Sequence, residues 1–252
     1  MLACDDNGNH AVLVKHDNSD SHALDVDWIH GLLFWADWNL NTINVMDLNT
    51  KQRKVLFNEA IATFTIIAVD PSKGLIFWTE WRGEGGGTIK RASMDGNDRM
   101  TITNSSSPFG IALDIFNERV YWADRNTNTI SSVDYNGNDR RTILHSSTHI
   151  KSPSSLAIFE EKLYWTDETQ NDVFVMNKFN GTEVRKFEYT IVLLNQNFQT
   201  NVINILAAMV PYAFQKAILS TMKENHNPAL DYLIHVFVLM DTRQERNQIR
   251  VF

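Results

Sequence analysis

The chain has 252 residues, of which 43% are hydrophobic, enough to bury the core of one large domain or two small ones. A formal net charge of -7 and a pI near 5.6 exclude a partner held mainly through phosphate contacts, because nucleic-acid binding rests on clustered Lys and Arg. The single cysteine, Cys4, allows no internal disulfide, and no Cys and His grouping has the spacing of a zinc site, so neither a metal nor a cofactor is expected.

Taken in chain order, the opening stretch MLACDDNGNHAVLVKH lacks a charged segment followed by an apolar one and does not read as a secretory signal. Asn7 and Gly8 followed by AVLVKH align with Asn136 and Gly137 followed by RTILH, which makes residues 1-23 the remnant of an earlier repeat unit. From residue 24 the pattern is regular. The run ALDVD ends at Asp27, a turn WIHG follows, and the tetrad Phe34, Trp35, Ala36, Asp37 closes the second run; TINVMDL and RKVLFN complete the unit. The second unit repeats the order with IIAVD ending at Asp70, then Phe77, Trp78, Thr79, Glu80, then TIKRASM and MTIT. The third has IALD ending at Asp114, then Tyr121, Trp122, Ala123, Asp124, then TISSVDY and RTILH. The fourth begins SLAIFEEK, with one residue fewer before its tryptophan, and continues with Tyr164, Trp165, Thr166, Asp167 and DVFVMNK. The four tetrad tryptophans are spaced by 43, 44 and 43 residues. Asp95-Gly96, Asn136-Gly137 and Asn180-Gly181 supply two-residue turn signals before the last run of three units.

Four short antiparallel strands per unit is the size of a propeller blade, in which radially stacked sheets bury both faces. The tetrad fits this packing: adjacent residues of a strand point to opposite faces, so an aromatic followed by Trp requires both faces to be covered. The tetrad acids Asp37, Glu80, Asp124 and Asp167 then need backbone donors from turns or from the neighbouring blade, which assigns them a structural task.

The stretches ALDVDWIHGLLFWAD, VDPSKGLIFWTEW and LAIFEEKLYWTD resemble the YWTD, or class B, repeats of the low-density lipoprotein receptor family. The resemblance covers about residues 7 to 189. It implies an all-β chain, with about four consecutive four-stranded blades of a six-bladed β-propeller at 24-189. Six blades need about 260 residues. Four blades without a closing contact are expected to associate or to be unstable unless the remaining chain covers one end. That remainder, 190-252, has no tetrad and stays unassigned, with a helix or two over about 201-225, a cap on the last blade, an appendage or the end of a truncated product as its open readings. Its longest apolar piece, Ile205 to Phe214, spans 10 residues and includes Pro211, too short to cross a membrane.

No nucleophile elbow, HExxH or P-loop is present, and the repeating acids are already used by the blades, so the chain is not read as an enzyme. The resemblance implies a non-enzymatic, protein-binding segment of an endocytic receptor that takes up lipoprotein or vitellogenin and releases it in acid. It places the chain on the extracellular side of the plasma membrane and in endosomes, with a protein ligand or neighbouring receptor modules as partners. Alternatives are a matrix or growth-factor co-receptor scaffold and, further off, a calcium-dependent propeller hydrolase. Three residues are candidates for a ligand face. His30, in the WIH turn, stands where the family carries a histidine and charges between extracellular and endosomal pH; the alternative is a plain surface-turn histidine. Trp38 and Trp81 each follow a tetrad by one residue and present indoles at one propeller face, or else pack under an adjacent loop. Asn104 and Asn180 head glycosylation triplets. Gly85 to Gly87 in RGEGGGT reads as a loop insertion.

Overall fold

The computed structural model describes residues 2–4, 10–12, 21–58, 63–83, 86–187, 190–192 and 248–250, with side chains described across 23–58, 66–83 and 86–187. Two short strands, β1 (Leu2–Cys4) and β2 (His10–Val12), pair antiparallel ahead of the repeats. The first blade comprises β3 (Ser21–Asp27), β4 (Leu32–Asp37), β5 (Thr42–Asp47) and β6 (Arg53–Asn58). Its inner strand begins at Ser21 and carries a bulge between Ser21 and Ala23. The second holds β7 (Thr63–Asp70), β8 (Leu75–Trp81), β9 (Gly87–Ser93) and β10 (Met100–Ser105). The third holds β11 (Pro108–Asp114), β12 (Arg119–Asp124), β13 (Thr129–Asp134) and β14 (Arg141–His145), and the fourth β15 (Pro153–Phe159), β16 (Lys162–Asp167), β17 (Asp172–Asn177) and β18 (Arg185–Lys186). Beyond them β19 (Thr190–Val192) runs parallel to β20 (Gln248–Arg250). The helix expected over 201–225 lies outside the described residues.

Each blade is a four-stranded antiparallel meander whose strands neighbour one another in chain order. The first strands of successive blades adjoin, so they form the inner circumference and the fourth strands the outer one. The tetrad sets the stacking. Phe34 of the first blade and Trp78 of the second share one buried cluster, in which Phe57 lies 4.7 Å from the Trp78 ring. Phe77 and Trp122 share the next, and Tyr121 and Trp165 the third. Each tetrad tryptophan therefore faces the preceding blade and each residue before it faces the following one, as the alternation of a strand requires. The ends of the arc keep the same sense: Trp35 packs with Leu33 and Met46 on the outer side of the first blade, and Tyr164 meets Phe187 edge-on at 5.5 Å.

The turns repeat as closely as the strands. The residue after each third strand donates its N–H to the carbonyl that ends the first turn, as in Leu48 to Gly31, Met94 to Gly74, Tyr135 to Glu118 and Lys178 to Glu161, at 2.8 to 3.0 Å. In the fourth blade only Glu160 and Glu161 separate the first two strands, where the other blades use four residues, in agreement with its shorter spacing. The Asp-Gly and Asn-Gly signals do mark turns, but the connections are longer than two-residue hairpins, running over 94–99, 135–140 and 178–184. Gly87, expected in a loop insertion, instead opens β9, where an added Cβ would meet Pro108 at 2.4 Å. The outer strands are irregular: the third-to-fourth strand ladders slip register at Ile43/Asn44, Thr101/Thr103 and Ile130/Ser131.

Gly137 does two things at once. Its φ of +88 lies in the left-handed region, and a Cβ there would sit 2.6 Å from the carbonyl oxygen of Ile102 on the preceding blade. Gly74 shares the left-handed backbone, at φ +64, but has open space around it. Gly74→Ala is expected to cost about 1 kcal/mol from backbone strain alone, and Gly137→Ala about 2–4 kcal/mol because the blade-to-blade approach is also lost. Urea denaturation of the two variants measures the difference.

Candidate functional site

In an antiparallel meander successive turns fall at opposite ends of the sheet. The first and third turns of every blade form one end of the arc; the second turns and the connections between blades form the other. Each end carries a series of buried carboxylates. At the first-turn end, Asp27, Asp70 and Asp114 close the inner strands and are nearly inaccessible to solvent. At the second-turn end, Asp37, Glu80, Asp124 and Asp167 close the tetrads.

The tetrad acids fasten the connections. Asp124 Oδ2 accepts hydrogen bonds from Ser105 Oγ and from the N–H groups of Ser106 and Ser107, while Oδ1 takes the N–H groups of Asn126 and Thr127. Burial alone would push this carboxyl up, but those donors together outweigh it and hold it below the ordinary range. Asp167 repeats the arrangement with Lys151, Ser152 and Gln170 N–H, and Asp37 takes Leu40 N–H. Glu80 differs. Its longer side chain reaches Trp78 Nε1 at 3.0 Å and pairs with Arg82, Lys90 and Arg99, whose guanidinium also covers Trp78 and Phe57. Burial again pushes upward, and the indole, ammonium and guanidinium donors win, leaving Glu80 below its ordinary value.

The acids at the other end hold neighbouring blades together in a way the sequence alone did not disclose. Asp70 accepts from Tyr135 Oη at 3.1 Å, across the seam between the second and third blades. Burial first, and then the Asp70 charge, push the Tyr135 phenol far upward, so it stays a donor. Asp114 pairs with Lys178 at 2.6 Å across the next seam, with both groups buried. Tyr135 and Lys178 occupy the same place, one residue after the third strand, so the signal was present as two polar residues at a position that Leu48 and Met94 fill with apolar ones.

The three ligand-face candidates are not brought together. His30 lies at the first-turn end, largely exposed, with Nδ1 2.7 Å from the fully buried Asp27 Oδ2; Asp27 Oδ1 also takes the N–H groups of Ile29 and His30. Trp38 and Trp81 lie at the opposite end, both half-buried, Trp38 in the second turn and Trp81 as the last residue of β8. The matching positions of the later blades are Arg125 and Glu168, which pair at 3.2 Å while Arg125 also covers the Phe109 ring at 3.8 Å. This end is therefore aromatic over two blades, with half-exposed Leu40 beside Trp38, and ion-paired over the other two. Asn104 sits exposed on β10, and Asn180 exposed in the last turn, where Thr182 Oγ1 donates to its Oδ1 at 2.7 Å. Among the described residues there is no group of three or more side chains suited to a metal, and no helix long and apolar enough to cross a membrane.

Comparison with known proteins agrees with this architecture. The family described as low-density lipoprotein receptor repeat class B matches residues 31–71 and 118–160. A human low-density lipoprotein receptor-related protein 5-like protein is 32% identical over 118 residues, 46% of this chain and 46% of that protein. The vitellogenin receptor Yl of Drosophila melanogaster is 36% identical over 121 residues, 47% of this chain and 6% of the receptor. Less than half of either relative is thus spanned. Among solved structures, a nidogen/laminin complex matches with a TM-score of 0.64 at 22% identity, over 73% of this chain and 68% of that one. A gluconolactonase from Xanthomonas campestris matches with a TM-score of 0.55 at 16% identity, over 70% of this chain and 64% of that one. At these identities the structural matches speak to fold alone.

Lys178→Met is expected to destabilise the chain by about 3–5 kcal/mol, because it leaves the Asp114 carboxylate buried without its cation. Tyr135→Phe removes a single hydrogen bond to a charged group and is expected to cost about 1.5–3 kcal/mol. Chemical denaturation at neutral pH distinguishes the two.

Proposed function

This chain carries class B, or YWTD, repeats of the low-density lipoprotein receptor family, and we propose that it is a non-enzymatic, protein-binding segment of an endocytic receptor. The observation that carries the reading is the pair of half-buried indoles, Trp38 and Trp81, at one end of a blade arc whose repeats match those of receptors. Large aromatic side chains at a solvent boundary supply the anchors on which protein interfaces rely. The ligand class is lipoprotein or vitellogenin particles. Binding takes place outside the cell, and release follows in the acidic endosome.

His30 supplies the acid response. Its Nδ1 lies 2.7 Å from Asp27 Oδ2 and its side chain is largely exposed, within reach of whatever docks at that end. Since His30 is at the end opposite the indoles, the charge it gains in acid acts on a neighbouring receptor module or on a ligand that reaches both ends. Asn104 and Asn180 carry N-linked glycans in this reading, both being exposed. Asn180 lies at the end opposite the indoles, whereas Asn104, near the end of β10, lies on the indole side of the second blade.

The test is binding of vitellogenin and of low-density lipoprotein particles to the immobilised, secreted chain at pH 7.4 and 5.5. Capture at pH 7.4 and dissociation at pH 5.5 are expected, with the Trp38→Ala, Trp81→Ala double variant at least tenfold weaker, about 1.4 kcal/mol or more. His30→Ala is expected to retain binding at both values. A folded chain that captures neither particle, or a double variant that binds as well as the parent, overturns the reading. Glycosidase treatment of the secreted chain reads the two sugar sites as two mobility steps.

A further inference from the structure

The seam between the first and second blades is built differently from the two that follow it. Where Tyr135 and Lys178 reach back to Asp70 and Asp114, the second blade has Met94, whose side chain packs against the apolar cluster of that seam. Asp27 is left to the His30 ring and turn N–H groups of its own blade. A second departure lies beside it. The residue paired with the tetrad aromatic is Ala68, Ala112 and Ala157 in the second, third and fourth blades, opposite Phe77, Tyr121 and Tyr164. In the first blade it is Asp25, opposite Phe34. Asp25 Oδ2 accepts the N–H of Val69 at 2.8 Å, on the inner strand of the second blade, and Oδ1 accepts the N–H of Val26.

We infer that Asp25 is a titratable clasp between the first two blades, one that holds the seam at lower cost when protonated, so that this seam gains stability in acid. The charge that acts on it is that of Asp27, two residues on in the same strand, which in turn meets His30 of the β3–β4 turn; Asp70 ends the facing β7. Burial pushes the Asp25 carboxyl up to about 6 against the pull of the Val69 and Val26 N–H groups, and the Asp27 charge adds to the rise. The ordinary value is 3.8, so the folded chain holds this proton more tightly than the unfolded one. The contribution of the clasp is complete below the ordinary value and is lost as pH rises through about 6. Protonation on Oδ1 leaves Oδ2 as a carbonyl acceptor for Val69, so the bond across the seam survives in weaker form while the cost of desolvating the charge disappears.

Two variants test this in the full chain, each unfolded with urea at pH 7.4 and 5.0. Asp25→Ala installs the residue found in the other three blades and removes the titration. The folding equilibrium of the parent is expected to gain on Asp25→Ala by up to about tenfold between pH 7.4 and 5.0. Asp25→Asn keeps an oxygen for Val69 in a neutral side chain and is expected to lack the pH step, matching the acid form of the parent at both values. A difference from Asp25→Ala that does not change with pH, or that favours the parent more at pH 7.4, overturns the inference. So does an Asp25→Asn chain that keeps the parent's full pH step, because the titrating group then lies elsewhere. Hydrogen exchange at the Val69 amide in the parent reads the clasp itself: protection relative to Asp25→Ala rises in acid if the seam gains stability, and an unchanged ratio counts against it.

Discussion

Every feature of this arc depends on one packing constraint: a sheet whose two faces both carry large apolar side chains is stable only when both are covered. The tetrad writes that constraint into four consecutive residues. At each of the three seams the first aromatic of one tetrad meets the tryptophan of the next, so the second and third blades interlock with both neighbours through a single short strand. The indole N–H groups at the three seams do not disturb this, because Glu80 accepts from Trp78, Ser105 Oγ from Trp122 and the His149 carbonyl from Trp165. The apolar seams therefore supply cohesion, and the polar groups at their rims supply register.

The division of labour between the two ends follows from this. At the second-turn end, Asp124 and Asp167 take backbone N–H groups from the links that lead into the third and fourth blades and fix where those blades begin. At the first-turn end, Asp70 and Asp114 take side-chain partners from the next blade, a phenol in one case and an ammonium in the other. Repeated backbone donors give a repeated geometry. Variable side-chain donors give seams of similar shape different polar contacts.

The blade count, the strand order and the shortened turn of the fourth unit were legible in the sequence, because each follows from periodicity and alternation, which are local properties. The structural task of the tetrad acids was legible too, since a buried carboxylate must find donors. What was not legible depends on which residues of different blades meet. The latches made by Tyr135 and Lys178 join positions 65 and 64 residues away in the chain. Gly137 reads locally as a turn glycine, yet the carbonyl of Ile102 also requires it. His30 and the two tryptophans read as one group only while the ends of the arc are left undistinguished; counting strands between them places them apart. The longer connections at 94–99 and 135–140 escaped the dipeptide rule, because the Asp and Asn side chains of the turns close extra hydrogen bonds, as Asp134 does to Asn136 and Asn138.

The slipped registers of the outer strands have a consequence for company as well as for shape. A flat strand at a sheet margin offers a template to any passing extended chain. Here the margin is bent by bulges, and its strands carry Arg53 and Lys54, Arg141, and Arg185 and Lys186, all exposed. A would-be recruit meets curvature and positive charge before it meets free N–H groups. The circumference is thereby made inhospitable to fibril-like growth, and encounters with other macromolecules are steered toward the two ends of the arc, where the turns display their side chains.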